Sequence, residues 1–310
     1  MPPPRIVVVG SLMQDIVVRA PRLPAADETL FGHSVDLFTG GKGGNQAIAA
    51  ARLGAFHVHM VGKVGVDAFG DNIVAALDAA GVDTTWVARD SATGTGIAIP
   101  IVLDDGSNSI ISVPRANLAL TAADIERSRD AISSAEALLI QQEVALEASL
   151  AAVRIAREAA VRVVFNAAPV DPGASDLLAF ATVLVVNEPE LDALVPSPGD
   201  ARTRLHELHA AGPEIVVLTL GEAGSIVSTR DGQWLVDPFP VEQVDSVGAG
   251  DAFCGALAVR LAAGDDVLLA ARFASAAGAL AVTRPGAAAS IPTLDEVQGL
   301  LASEGTISSS

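Results

Sequence analysis

Residues 137–169 read ALLIQQEVALEASLAAVRIAREAAVRVVFNAAP, and the way this stretch folds decides the class of the whole chain. It opens on a short apolar run, 137–143, and closes on a second, 161–169, in which valine and phenylalanine favour a pleated, packed backbone. Between them, 146–160 spaces its apolar residues three and four apart, which predicts an amphipathic helix. Strand, helix and strand in so short a span predict a βαβ crossover, with the two strands parallel and the helix lying over the sheet.

The same alternation extends in both directions. RIVVVG (5–10), VHMVGKVG (58–65), TVLVVNEPE (182–190) and EIVVLTLG (214–221) read as strands, and 43–53, 68–80 and 200–211 as helices, with three more helices expected at 251–263, 266–281 and 294–302. The expected fold is therefore α/β, a doubly wound, mainly parallel sheet with helices on both faces. Two stretches, 14–38 and 93–113, are rich in strand formers without helical spacing, and DDGSN at 104–108 is a hairpin turn signal. They read as a small β-sheet projecting from a single domain, 1–303, as a lid; two ordinary surface hairpins are the alternative. The last residues, 304–310, read as a loose tail.

Composition narrows the function. The formal net charge of −18 disfavours a nucleic-acid backbone or an anionic membrane as partner, since both need basic patches. No stretch supplies about 18 uninterrupted apolar residues, and the start, MPPPRIVVVG, lacks the pattern of a signal peptide. A cytoplasmic location is expected. The single cysteine, Cys254, excludes an internal disulfide, and it reads better as a small buried residue than as a reactive thiol. Lysine occurs only at 42 and 63, and Lys42 stands inside a glycine cluster.

Four motifs carry chemistry. VDSVGAGDAFCGAL (244–257) places a glycine-lined bend before a helix, and the unpaired amides and positive dipole end of a helix start suit an anion. Asp251 in that turn would repel an anion unless it orients or deprotonates a hydroxyl that attacks a bound phosphate; capping the helix is the alternative. FTGGKGGNQAIAAARLGA (38–55) fits neither the Walker loop nor the dinucleotide fingerprint, because Asp36 and Gly43 stand where the former needs Gly and Ser or Thr. A close-approach site for a hydroxylated small molecule fits better, with Asn45 offering both donor and acceptor. VVNEPE places Asn187 and Glu190 beyond a strand end, where they suit phosphate or magnesium waters, and TLGEAGS (219–225) is a second glycine-rich turn that suits a nucleotide. HELH (206–209) has the wrong spacing for a zinc protease and reads as a solvated helix face. No G-x-S-x-G or Cys-x-x-Cys supports a hydrolase or zinc reading.

Taken together and in this order, GGKGGNQ, NEPE, TLGEAG and DSVGAGDAFCGAL resemble the ribokinase-like, phosphofructokinase-B type carbohydrate kinases, from about residue 5 to 300. The resemblance implies a doubly wound α/β domain with a β-sheet lid and transfer of the ATP γ-phosphate to a primary hydroxyl of a sugar. It implies Asp251 as the base and the backbone of Gly248, Ala249 and Gly250 as the anion hole. Sugar contacts would come from Asp15, Gly41, Lys42, Gly43, Asn45, Glu143 and Asp251, with Met13 beside them. Nucleotide and Mg2+ would be held by Asn187, Glu190, Thr219, Gly221 and Gly224, with Ser275 near the base.

The same resemblance implies a K+ site built from the Asp245 carboxylate, the main-chain carbonyls of Val247, Ala281, Arg284 and Gly286, and the Ser290 hydroxyl. The sequence departs from the family at three places. GSLMQD puts Met13 where ribokinases have an asparagine that faces the sugar, a difference similar to that in deoxyribose kinases, so ribose and 2-deoxyribose are both candidates. Arg115 replaces a usual glycine, and Ser275 an asparagine near the adenine. A kinase of another sugar or of a nucleoside, or a non-catalytic sugar-binding regulator, are the competing readings, and the strand edges of the lid suggest a homodimer through it.

Overall fold

The computed structural model describes residues 4–304 apart from 106 and 172. The chain enters as β1 (Arg5–Val9), runs out and back as β2 (Met13–Ala20) and β3 (Ser34–Gly40), and continues through α1 (Lys42–Arg52), β4 (His57–Gly65), α2 (Ala68–Ala79) and β5 (Val82–Asp90). A second excursion, β6 (Gly96–Leu103) and β7 (Asn108–Val113), leads to α3 (Ala122–Arg127) and α4 (Arg129–Ser133). Then follow β8 (Ala137–Ile140), α5 (Leu146–Glu158), β9 (Arg162–Asn166), α6 (Ala174–Leu178), β10 (Val183–Asn187), α7 (Glu188–Leu194), α8 (Ala201–Ala211) and β11 (Ile215–Thr219). The hairpin β12 (Ser225–Thr229) and β13 (Gly232–Val236) precedes α9 (Ala249–Ala262), α10 (Val267–Ala281), the short α11 (Ala287–Ser290) and α12 (Leu294–Glu304).

One sheet of nine strands runs in the order β13-β12-β11-β10-β9-β8-β1-β4-β5. Every pair from β11 to β5 is parallel, and the β11–β12 and β12–β13 pairs at one edge are antiparallel. Ile6, Val7, Val8 and Val9 are all fully buried, because helices cover both faces of a parallel sheet; this is why β1 reads as a continuous apolar run. Ile6 and Val8 join the core formed with α1, α2, α9, α10 and α12, whereas Val7 and Val9 join the core formed with α3 to α8. The doubly wound expectation holds.

Both strand-rich interruptions enter a second sheet, ordered β3-β2-β6-β7, in which β2 and β6 are parallel and the two outer pairs antiparallel. Two polar residues, half-buried Asp67 and buried Asn117, fasten it to the main body. Asp67, the cap of α2, accepts bonds from Thr95 N (2.8 Å) and Thr95 Oγ1 (2.6 Å) just before β6. Asn117 accepts from Leu12 N (2.8 Å) and donates to Leu12 O (2.9 Å) just before β2. Arg115, where the family favours glycine, adopts φ 45 and donates from Nη1 to Thr95 O at 3.1 Å. A left-handed backbone explains the glycine preference at this position.

Several expectations need correction. The strand predicted over 182–190 stops at Asn187, because Asn187 and Glu190 form a capping box that starts α7. HELH is not a wholly solvated face. His206 is exposed, but His209 is buried, with Nδ1 donating to Pro213 O (2.8 Å) and Nε2 accepting from Ser228 Oγ (3.0 Å). The stretch 304–310 starts inside α12, which reaches Glu304, and its remainder lies outside the described residues.

Candidate functional site

Strand order reverses direction at β1, where the chain moves outward to β4 on one side while β8, β9 and β10 build the other; in such sheets the ligand crevice lies beyond the carboxyl ends at this switch point. The first residue pair across it is already polar: Ser11, two residues after β1, donates from Oγ to Glu143 Oε2, three residues after β8. Glu143 Oε2 also accepts from the Lys42 amide at 3.0 Å, so the loop after β8 is tied to the start of α1.

The helix α9 lies against α1 at a distance that only a residue without Cβ permits. A Cβ at Gly255 would come within 2.5 Å of the Ala49 Cβ. This approach brings the first turn of α1 to the first turn of α9. Asn45 Nδ2 donates to Asp251 Oδ2 at 2.9 Å, and Gln46 Nε2 donates to Asp251 Oδ1 at 3.0 Å. Asp251 is 7% exposed. Burial raises its pKa, while the Lys42 ammonium and the donors on Asn45 and Gln46 pull the other way. The result is a water-poor carboxylate with a donor on each oxygen, which suits a base. Capping is not its role, because the N-cap of α9 is Gly248, with no side-chain cap bond.

Gly248 sits at φ 82 in the left-handed region, and a Cβ there would meet Ala287 Cα at 2.8 Å. Both facts demand glycine. The bend it makes leaves the first-turn amides of α9 without carbonyls four residues back, the usual condition of a helix start. Gly248, Gly250 and Asp251 line a cavity of about 230 Å³ together with Lys42, Asn166, Asn187, Glu190, Thr219, Ser246 and Cys254. Ala249 and Gly250 line a neighbouring cavity of about 530 Å³. Thr219, Ser246 and Gly250 belong to both linings, so the two spaces adjoin at the bend.

The residues expected on the sugar side come together around Lys42. Burial works against its ammonium, but the carboxylates of Asp251, Glu143 and Glu190 outweigh it and raise the pKa. Asp15, on β2, is pushed up to about 7 by burial and by the facing carboxylates of Glu143 and Asp251. Met13 is buried, and its Sδ accepts from Ser112 Oγ at 3.7 Å. Gly41 caps α1, and Gly43 packs against Gly10 and Ser11. Of this group, Lys42 and Asp251 line the smaller cavity; Asp15 and Glu143 are coupled to them through charge.

On the nucleotide side, Thr219, Gly221, Gly224 and Ser275 line the larger cavity with Phe239, Val241 and Gly278. Ser275 Oγ is buried and has no hydrogen-bond partner among the described residues. Asn187 and Glu190 line the smaller cavity, where burial raises the Glu190 pKa against the pull of the Asn187 amide and Lys42. Among the described residues no cluster of three or more His, Cys, Asp or Glu side chains could hold a metal. Cys254 is buried, with its thiol pushed well up by burial, and it behaves as a small packing residue.

Around the bend, Asp245 Oδ1 accepts from Val247 N (3.0 Å) and Oδ2 from Gly286 N (2.9 Å), fastening the segment before α9 to the segment before α11. Ser290 is fully buried and donates to Ala287 O at 2.9 Å. Ala281 ends α10, and the Arg284 guanidinium pairs with Glu296. Reasoning from motifs missed Ser11, Gln46, Asn166, Ser246 and Phe239. For Gln46 a signal existed: it follows Asn45 directly in GGKGGNQ, one helical position on.

The pfkB family carbohydrate kinase model matches residues 3–294. A ribokinase of Bacillus subtilis is 40% identical over 296 residues, covering 96% of this chain and 99% of the relative. A deoxyribokinase of Salmonella typhi is 34% identical over 299 residues, covering 94% and 96%. A solved structure of Arabidopsis thaliana ribokinase, complexed with ribose and ATP, superposes with a TM-score of 0.89 at 32% identity, covering 97% of this chain and 99% of that one. With its glycine-lined bend, paired cavities and near-complete match in length, the chain belongs to the pfkB family of carbohydrate kinases.

Proposed function

We propose that the chain is an ATP-dependent kinase that transfers the γ-phosphoryl group to the primary 5-hydroxyl of a free pentose, ribose or 2-deoxyribose. The observation that carries this reading is Asp251: a buried carboxylate on the wall of the smaller cavity, held at both oxygens, next to Gly250, which lines both cavities. The sugar hydroxyl gives its proton to Asp251 as the oxygen attacks phosphorus. Charge building on the transferred group meets the first-turn amides of α9 and the Lys42 ammonium. Asp15, Glu143 and Asn45 orient the other sugar hydroxyls, and Thr219, Gly221, Gly224 and Ser275 line the nucleotide space.

The oxygens of Asn187 and Glu190 suit magnesium held largely through water and phosphate, and the half-buried Glu190 carboxylate would gain from a nearby cation. Magnesium supplies charge neutralisation at the phosphate oxygens. The K+ reading rests on Asp245, which holds together the two segments that contribute the Val247 and Gly286 carbonyls. No described helix is long and apolar enough to cross a membrane, and a cytoplasmic location is part of the proposal. So is a homodimer through the smaller sheet, which exposes Val35, Leu37, Ile110 and Ile111.

At Met13 the thioether can accept but not donate a hydrogen bond, which removes a handle on one sugar hydroxyl. The test is a steady-state panel of ribose, 2-deoxyribose, fructose and adenosine with ATP and magnesium, in potassium and in sodium buffers. Highest kcat/KM for a pentose is expected. Asp251→Asn should bind sugar and nucleotide yet turn over at least about 100-fold more slowly; near wild-type turnover would remove Asp251 from the mechanism.

A further inference from the structure

Behind Asp251 lies a row of buried amides, Gln141, Gln46 and Asn166, of which only Asn166 lines a cavity. Gln141, just past β8, donates from Nε2 to Gln46 Oε1 at 2.7 Å. Gln46 in turn donates from Nε2 to Asp251 Oδ1 (3.0 Å) and to Asn166 Oδ1 (3.1 Å). Asn166, at the end of β9, donates onward to Val185 O at 3.3 Å. Gln46 and Gln141 are both fully buried, so water offers neither amide an alternative partner.

A primary amide can be flipped through 180°, exchanging its donor and acceptor ends. The two ends of Gln46 are not equivalent for a carboxylate. With Nε2 toward Asp251, the amide supports the ionised form; flipped, Oε1 would face the carboxylate oxygen and favour only the protonated form. Asn166 pulls toward the first orientation, and its own amide is set by the Val185 carbonyl. Gln141 completes the selection from the opposite end, because its donor occupies Oε1.

We propose that Gln141 is a positioning residue for phosphoryl transfer: its bond to Gln46 fixes the Gln46 amide with the donor end on Asp251, which keeps the base ionised and its Oδ1 fixed in place. The inference rests on the reading of Asp251 as the base. It assigns a role in the rate, and not in ligand affinity, to a side chain that meets neither ligand space. The charged and titratable groups around Asp251 are Lys42 from α1, Glu143 from the loop after β8, Asp15 from β2, Glu190 from α7 and Cys254 from α9. None of them is altered by a change at Gln141.

The experiment compares Gln141→Met, which keeps length and bulk without a donor, and Gln141→Glu, which when ionised offers Gln46 an acceptor instead, with the wild type and with Asp251→Asn. Folding is checked by thermal unfolding, and kcat and both KM values are followed from pH 5 to 9. Gln141→Met is expected to lower kcat about tenfold with sugar and ATP KM within about twofold, and to move the acid limb of the kcat profile upward in pH. Gln141→Glu should show the same shift, larger. A lowered melting temperature in both variants with unchanged kcat and pH profile would reduce Gln141 to a packing role and overturn the inference, as would a loss confined to KM. Should Gln141→Met not fold, Gln141→Glu alone decides by the same two readouts, and failure of both to fold would also overturn a role confined to the rate. Full turnover by Asp251→Asn would overturn the base assignment itself, a result distinguishable from normal Gln141 variants beside an inactive Asp251→Asn.

Discussion

Replacing Asp15 with asparagine should stabilise the sugar-free protein at pH 8 while weakening its grip on the sugar. The Asp15 carboxyl rises from 3.8 to about 7 in the fold, through burial first and then the charges of Glu143 and Asp251. A raised carboxyl pKa means that the native state binds its proton more tightly than the unfolded chain does. Its favourable contribution is therefore complete below pH 3.8, falls as pH rises toward 7, and above 7 the ionised group carries the full cost. Three pKa units at 1.36 kcal/mol each give an upper figure of about 4 kcal/mol, and partial contact with water reduces it to about 2 kcal/mol. Asn keeps the shape and loses the charge. Thermal unfolding of the sugar-free proteins at pH 5 and pH 8 should show a gain for Asp15→Asn of about 4 °C in Tm at pH 8 and a clearly smaller one at pH 5. The sugar KM should rise about 30-fold, the loss expected for a charge-assisted hydrogen bond. An equal gain at both pH values, or none at pH 8, would refute the electrostatic account of this site.

Two further substitutions probe the bend and the sugar pocket. Gly248→Ala forces a Cβ to within 2.8 Å of Ala287 Cα on a left-handed backbone; it should cost about 1–3 kcal/mol in stability and lower kcat more than it changes the sugar KM, as read by denaturant unfolding and initial rates. Met13→Asn restores a donor beside the sugar and should shift the kcat/KM ratio toward ribose over 2-deoxyribose by about tenfold, measured with both sugars side by side; an unchanged ratio would remove Met13 from sugar discrimination.

The buried strands were legible because a parallel sheet covered on both faces demands continuous apolar runs, and β1, β8, β9, β10 and β11 supply them. β5, VDTTWVARD, went unread: it is an edge strand, only partly covered, so a polar run, Asp83 to Thr85, interrupts its apolar residues, and the register shifts between His59 and Val61 on its partner. The β12–β13 hairpin was hidden by the glycine-rich turn before it, which drew attention as a ligand loop although Asp231-Gly232 marks its own turn. His209 shows the limit of pattern at short range. Its two partners, Pro213 and Ser228, come from the loop after α8 and from β12, and no local spacing announces them.

In the candidate site, what could be read was the chemistry of charged and glycine-rich motifs; what could not was the set of neutral amides that orient them. Gln46, Asn166 and Gln141 come from α1, the end of β9 and the loop after β8, with Gln46 more than ninety positions from the other two, and each is unremarkable in sequence. Only the fold joins them, because the parallel order β9-β8-β1 brings the carboxyl ends of these strands side by side while α1 and α9 close over them.

That convergence has an electrostatic consequence. Glu143, Glu190 and Asp251 act on Lys42 through charge and Asp15 faces Glu143 and Asp251, so three carboxyl groups share a single ammonium beside a fourth. A nucleoside triphosphate is strongly anionic, and the chain as a whole carries −18, so neither the side chains nor the long-range field can draw it in. In the proposed reading, the attraction comes from the backbone donors at the start of α9 and from cations that accompany the phosphates. On that reading the Gly-Ala-Gly bend, in which φ and the Ala287 contact already require glycine at 248, also keeps large side chains from competing for those donors, the principal positive feature this acidic protein can offer its nucleotide.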